Sequence, residues 1–411
     1  MRRRRGVGVL PWVGTAGLIF VFGAWVFGDL PSDPLAQTPL VIAQTEDVPR
    51  VTFQNFSPRF DHLEDGRLVT RFENGAKAVL TLDPALQTQM EGYFRRHQVP
   101  YGVFVAVQPL TGKVLAMAEY ATVPSGTERL ALRATYPAAS IFKLVTAAAA
   151  IEGKKAAPDT VIAYRGSPYA MGPRVWADNP KRDRIKTTLA RALADSNNVV
   201  FSKVALRWLS APTLLHYGEQ FGFNRPIPFD LPVQESQMRI EEGRAGLAEA
   251  ATGFGKITLS PLHGAMIAAA LGNDGVMMAP CLVDRVIDAE DHTRYQCLPK
   301  PIATLVSSQT AQSISQMMAL TTLVGTSRKA FRTKRGAPSL RGMLIGGKTG
   351  SLTGDNPPGK YSWFVGMAPL SSPEIAVAAL VINHPTRWKI KASGVAKEGL
   401  SIYFDGKRLH R

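Results

Sequence analysis

The sequence predicts an α+β fold. An antiparallel sheet of about five strands is flanked by helices, a helical lobe is inserted into it, and one transmembrane helix precedes it. Three observations carry this. A β-rich run from Tyr101 to Gln108 is followed by Pro109-Leu110-Thr111-Gly112 and a return through Lys113 to Tyr120, the pattern of a hairpin. From Ser140 to about Phe331 the chain then reads mostly helical, most clearly at 187–209, 262–271 and 307–331. Beyond that, the apolar runs 343–351, 361–369 and 374–383 are joined by short turns, which implies an antiparallel meander. Two strands come from the start of the domain and three from its end.

Taken in order, the chain opens with Arg2 to Arg5 and then Gly6 to Gly28, a run without a charged residue. As a helix that run spans roughly 34 Å, enough to cross a bilayer. The arginines are expected to stay in the cytoplasm as a tail (residues 1–5), which places everything after the anchor (6–28) outside it. A cleaved signal peptide is the alternative, but its apolar region would usually be shorter, and no small-x-small site closes the segment cleanly. Residues 29–78 read as a juxtamembrane linker rich in Pro, Ser, Asp, Gln and Thr, followed by a small lead-in of short strands or turns. The folded domain is expected over 79–411. Asp83 and Pro84 mark the start of a polar helix running to about His97. A last amphipathic stretch, from about Val395 to Lys407, reads as a helix.

Composition narrows the function classes. With 45% hydrophobic and 19% charged residues the chain is ordinary globular protein, enough for one large or two medium domains. The net charge is +16, and four of those units are the arginines of the tail. In an exported chain nucleic acid is not the expected partner. Anionic lipid headgroups or anionic wall polymers fit better, and a merely soluble basic surface is the ordinary reading. The seven histidines show no metal-ligand spacing, so no metal and no cofactor is expected. The two cysteines, Cys281 and Cys297, bound a segment that reads strand, polar turn, strand. Outside the cytoplasm a disulfide between them is expected, worth about 3 kcal/mol for a loop of this size; two reduced, buried thiols are the alternative.

The chemistry concentrates in three short motifs. Ser140-Ile141-Phe142-Lys143 opens a helix that the four alanines 147–150 favour and Gly153 ends. Ser140 then sits where free backbone N–H groups favour an anion, with the Lys143 amine beside its hydroxyl. A lysine activates a serine only if desolvation or neighbouring positive charge keeps it neutral. Alone, the motif is an N-cap serine followed by a surface lysine. Asp195-Ser196-Asn197-Asn198 is placed on the helix that begins near Thr187, and alone it is a polar helix edge. Lys348-Thr349-Gly350-Ser351 falls on the first strand of the late meander, after Gly346-Gly347, and is the most specific of the three. All three occur once, in the order nucleophile, lobe, late strand.

With these motifs the chain resembles the transpeptidase domain of penicillin-binding proteins, the serine acyltransferases related to serine β-lactamases. The resemblance runs from about Val79 to the C-terminus. It includes 80–87, the hairpin 109–117, Gly253-Phe254-Gly255 with 258–262, and Ser362 to Pro369. It implies that Ser140 is acylated by the penultimate D-alanine of a peptidoglycan stem peptide. It further implies that Lys143 takes the Ser140 proton and that Ser196 relays it to the leaving D-alanine. Asn198 would hold the substrate amide and Lys143, and Lys348 would hold Ser196 and keep Lys143 neutral. Thr349 and Ser351 would meet the substrate carboxylate, with Gly350 between them in the substrate-binding strand, and the N–H groups of Ser140 and Ser351 would form an oxyanion hole. The expected ligands are stem peptides and β-lactams, at the outer face of a bacterial inner membrane.

Other outcomes of the same fold are a D,D-carboxypeptidase and a β-lactamase, and a non-catalytic β-lactam sensor or divisome scaffold is the alternative of another class. No Glu-x-x-Leu-Asn-type segment that would serve a deacylating water lies between Ser196 and Lys348. About fifty residues separate the anchor from the domain, too few for a glycosyltransferase, so nascent glycan is expected from a separate membrane polymerase.

Overall fold

The computed structural model describes residues 56–409 apart from 59, 61, 123–128, 334 and 341. The tail, the anchor at 6–28 and most of the linker lie outside the described residues. Among the described residues no helix is long and apolar enough to cross a membrane.

Three short strands come first: β1 (Leu63–Glu64), β2 (Arg67–Arg71) and β3 (Lys77–Leu80). Helix α1 (Pro84–His97) starts where its cap predicts, with Asp83 accepting from the Leu86 N–H at 2.9 Å. Its buried residues Leu86, Met90 and Phe94 recur every fourth position and form one stripe. Strands β4 (Tyr101–Val107) and β5 (Val114–Ala121) make the expected hairpin. A 3-10 turn, Ala139–Phe142, leads into α2 (Lys143–Glu152).

The lobe follows. It comprises β6 (Val161–Tyr164), α3 (Pro173–Trp176), β7 (Ile185–Thr188), α4 (Leu189–Ala194), α5 (Asn198–Trp208) and α6 (Ala211–Gln220), then β8 (Met238–Arg239), α7 (Gly243–Ala250) and β9 (Lys256–Ile257). Helix α8 (Pro261–Gly272) is capped by Ser260 and buried nearly all round, as a helix enclosed on every side must be. After it come β10 (Val276–Met278), β11 (Val283–Ile287), β12 (Thr293–Gln296), β13 (Pro301–Thr304), α9 (Ser308–Leu323) and α10 (Arg328–Phe331). The chain closes with the meander β14 (Gly346–Asp355), β15 (Pro358–Ala368) and β16 (Ile375–Asn383), and with α11 (Ala392–Leu409).

The main sheet runs β14–β15–β16–β4–β5, antiparallel throughout, with two strands from the start and three from the end as the sequence predicts. All nine residues of β16 are buried, because the central strand is covered on both faces. Side chains alternate along β4, β15 and β16. Val103, Val105, Trp363, Val365, Ala378 and Leu380 join the core that contains α8 and α2. Phe104, Phe364, Val377, Ala379 and Val381 join the core that contains α1 and α11. Strand β14 is an edge, and the Ser140 turn packs against it.

A second five-stranded sheet, β1–β2–β3–β11–β12, was not expected from the sequence. Its strands are two to five residues long, and β3 finds β11 from the far side of the lobe. Residue 79 lies inside β3, so the lead-in and the start of the large domain share one strand. Cys281 and Cys297 bracket the β11–β12 hairpin and are joined as a disulfide, with a Cα–Cα distance of 6.6 Å.

Candidate active site

The sequence places a helix start at Ser140, whereas the regular helix opens at Lys143 and Ser140 lies in the 3-10 turn before it. Side chains three apart eclipse one another in that conformation. The Lys143 Nζ accordingly sits 2.6 Å from Ser140 Oγ. The turn is clamped on several sides. The Ala138 N–H donates to the Ile257 carbonyl (2.9 Å), the Trp363 indole N–H to the Pro137 carbonyl (2.9 Å), and the Thr146 hydroxyl to the Ala251 carbonyl (2.8 Å). Ala139, directly before the serine, has φ +48°, a region that costs a residue with a Cβ about 1–2 kcal/mol. Gly253, itself at φ +82°, lies so close that a Cβ on it would come within 1.7 Å of the Ala139 carbonyl oxygen. The turn is therefore held in a conformation it would not adopt alone.

The second motif corrects the sequence reading. One helix was expected through Ser196, but the chain breaks there: α4 ends at Ala194, Ser196 has φ +58°, and α5 begins at Asn198. Asn197 caps the new helix by accepting from the Val200 N–H (3.0 Å), and the Asn198 N–H donates to the Pro168 carbonyl (2.7 Å). The break turns Ser196 and Asn198 into the same cleft. Asn198 Oδ1 accepts from Lys143 at 2.7 Å, and its Nδ2 donates to the Tyr169 carbonyl at 3.2 Å.

The third motif lies on β14. Lys348 Nζ donates to Ser196 Oγ (2.9 Å) and to the Thr349 carbonyl (2.7 Å). Cross-strand pairing puts Thr349 opposite Phe364 and Ser351 opposite Ser362, while Gly350 faces Trp363 and the Ser140 turn. The Thr349 hydroxyl is 2.6 Å from that of Thr326, in the turn between α9 and α10.

Both amines are fully buried. Desolvation holds Lys143 well below the usual lysine range, and the Lys348 charge pushes the same way. Burial lowers Lys348 to about 7. Both effects favour the neutral amine of Lys143, which is in hydrogen-bond contact with a serine hydroxyl, the arrangement a general base requires. A cleft of about 890 Å³ opens over this group and takes in Ser140, Ser196, Asn198, Thr349, Gly350 and Ser351. The eight residues singled out by sequence for this site therefore converge: six line the cleft and the two lysines stand directly behind it.

Several lining residues carried no motif and were missed: Tyr169, Thr326, Trp388 and Lys391 all sit in loops or at element ends, and Phe254, quoted in the resemblance, was given no place in the site. Away from the cleft, Asp288, Glu290 and His292 bring potential metal ligands together at the β11–β12 turn. The Asp288 carboxylate there already accepts from Arg294 Nε (2.6 Å) and from two backbone N–H groups.

The comparisons with known proteins agree with this geometry. The family model for the penicillin-binding protein transpeptidase domain matches residues 102–399. The chain is 27% identical over 323 residues to the peptidoglycan D,D-transpeptidase PbpA of Mycolicibacterium smegmatis, covering 68% of this chain and 61% of that one. It is 28% identical over 364 residues to PbpA of Mycobacterium tuberculosis, covering 79% and 71%. Among solved structures, the D,D-transpeptidase domain of a peptidoglycan glycosyltransferase from Eggerthella lenta superposes with a TM-score of 0.66 at 27% identity, over 81% of this chain and 84% of that one. Penicillin-binding protein A of M. tuberculosis, as its penicillin G acyl-enzyme complex, gives 0.62 at 25% identity over 80% of each chain. The chain belongs to the penicillin-binding protein transpeptidase family.

Proposed function

We propose that this chain is a membrane-anchored peptidoglycan D,D-transpeptidase that works through a Ser140 acyl-enzyme and is acylated by β-lactams. The observation that carries the reading is the fully buried Lys143 amine, 2.6 Å from Ser140 Oγ, fixed by Asn198 and held below the usual lysine range by desolvation. Ser140 Oγ attacks the carbonyl of the penultimate D-alanine while Lys143 takes its proton. The oxyanion is met by the N–H groups of Ser140 and Ser351, where loss of one such donor typically costs about 3 kcal/mol. Collapse breaks the peptide bond, and the departing D-alanine amine takes a proton by way of Ser196. Thr349 and Ser351 hold the terminal carboxylate, and Lys348 holds Ser196. An amine from a neighbouring stem then attacks the ester, forming the crosslink and restoring the Ser140 hydroxyl.

Anchoring rests on the uncharged run 6–28 behind Arg2 to Arg5, which would hold the domain at the outer face of a bacterial inner membrane. Nascent glycan would be supplied by a separate membrane polymerase.

Fluorescent penicillin tests the acyl-enzyme. Wild type should label, with the mass shift on the peptide containing Ser140, and Ser140→Ala should not; equal labelling of the variant overturns the assignment. Product analysis with polymerised lipid-linked precursor and an amine donor tests the outcome. Crosslinked dimer should exceed free tetrapeptide; tetrapeptide alone would make the enzyme a carboxypeptidase, and rapid penicillin turnover a β-lactamase.

A further inference from the structure

Lys391 is the one charged residue among the described residues that line the cleft. It precedes α11, on the loop that returns from β16, and it is exposed. Its position is fixed by the next residue, whose N–H donates to Ser362 Oγ at 3.1 Å. Ser362 is the cross-strand partner of Ser351, so this loop is pinned beside the Ser351–Leu352 stretch of β14. On the same loop Trp388, 40% exposed, presents its ring 6.0 Å from the Lys391 ammonium. No carboxylate pairs with Lys391 among the described residues, and none lines the cleft. The terminal carboxylate of the substrate already has Thr349 and Ser351. An unneutralised cation held by an aromatic ring at the mouth of the same cleft calls for a second anion on the ligand.

We infer that Lys391, with Trp388 beside it, is a specificity-determining residue that binds a side-chain carboxylate on the acyl donor, and so favours stem peptides with an acidic group upstream of the two D-alanines. This rests on the acyl-enzyme reading above. A lone ammonium at a half-open site is salt-sensitive, and the preference it confers should weaken as ionic strength rises.

The test uses the full-length protein in detergent and compares acylation rates for two penicillins. Benzylpenicillin carries only the ring carboxylate, and carbenicillin adds a second carboxylate to the same side chain. The ratio of carbenicillin to benzylpenicillin rates should fall about tenfold in Lys391→Met, and further in Lys391→Glu, as expected for loss and then reversal of a charged contact. Matching D-alanyl-D-alanine donors whose third residue ends in a carboxylate or in an acetamide should show the same change in ratio. A ratio makes the readout insensitive to the fraction of folded enzyme. An unchanged ratio overturns the inference. So does an equal loss with both penicillins, because Lys391 would then serve the terminal carboxylate or the fold. Failure of wild type to be acylated by benzylpenicillin at Ser140 would instead sink the underlying function.

Discussion

Replacing Lys348 by methionine should damage catalysis and stabilise the fold at the same time. Methionine keeps most of the length and loses the charge. On the catalytic side, Ser196 Oγ loses a donor at 2.9 Å. A hydrogen bond to a charged group is worth about 1.5–3 kcal/mol, which corresponds to roughly a 10- to 150-fold loss in acylation rate. Lys143 also loses the neighbouring charge that helps hold its pKa down, so its base form becomes scarcer at neutral pH and the acidic limb of the rate profile moves upward. On the stability side, burial lowers the Lys348 ammonium to about 7 when folded, against about 10.5 for a free lysine. Folded protein then binds fewer protons than unfolded protein between those values, so this group's penalty is greatest at and below pH 7 and vanishes as pH rises towards 10.5. The burial penalty is on the order of 4 kcal/mol at neutral pH. The orphaned Ser196 hydroxyl and Thr349 carbonyl offset about half of it, at about 1 kcal/mol each. Lys348→Met should therefore melt a few degrees above wild type at pH 6–7, and that advantage should disappear near pH 10. Stopped-flow labelling with fluorescent penicillin across pH, alongside thermal melts at each pH, measures both. Acylation within threefold of wild type, an acidic limb that stays in place, or an advantage that grows with pH would refute the reasoning.

Other substitutions probe the scaffold. Gly253→Ala drives a Cβ to 1.7 Å from the Ala139 carbonyl oxygen at φ +82°, and should cost about 3 kcal/mol in urea unfolding and at least tenfold in labelling rate. Asp183→Ala strips the fully buried Lys203 of its 2.5 Å partner, leaving Asp178 at 3.0 Å. Loss of about 3 kcal/mol is expected, and most of it should return when Lys203→Met is added, which chemical denaturation of both variants measures. Cys297→Ser should lower stability by about 3 kcal/mol and remove the sensitivity of wild-type melting to reductant, while penicillin labelling persists.

The main sheet was legible because its strands announce themselves. The runs 101–107, 361–368 and 375–383 are apolar and long, and their turns are short. The three motifs gave the chemistry for a similar reason, since each packs several functional side chains into four residues. The second sheet was hidden by strands too short to show a period and by pairing across the whole lobe. The break at Ser196 was hidden too: Leu189 to Trp208 is helix-forming in composition, and a serine in the left-handed region has no sequence signature. Its only hint was Asn197, a good cap residue two places before the apolar run Val199–Phe201. Lys391 and Trp388 could not be found at all, because a loop residue acquires its role only when the fold brings it to the cleft.

Strand β14 meets the cleft along its free edge, where the groups on offer are largely peptide N–H and C=O. Every amino acid other than proline carries both, so point mutation has almost no means of deleting them. A population under antibiotic selection is pushed to change the strand's attitude rather than its contacts. The places to do that are behind the edge, where Gly347 lies under the Phe364 ring so closely that a Cβ there would come within 2.4 Å of Phe364 Cζ, and Gly350 is wedged between Trp363 and Ile141. Altered drug response in this protein should accordingly arise at packing positions such as Phe364 and Ile141, and at the loop residues that rim the cleft, well before it arises at Lys348 to Ser351.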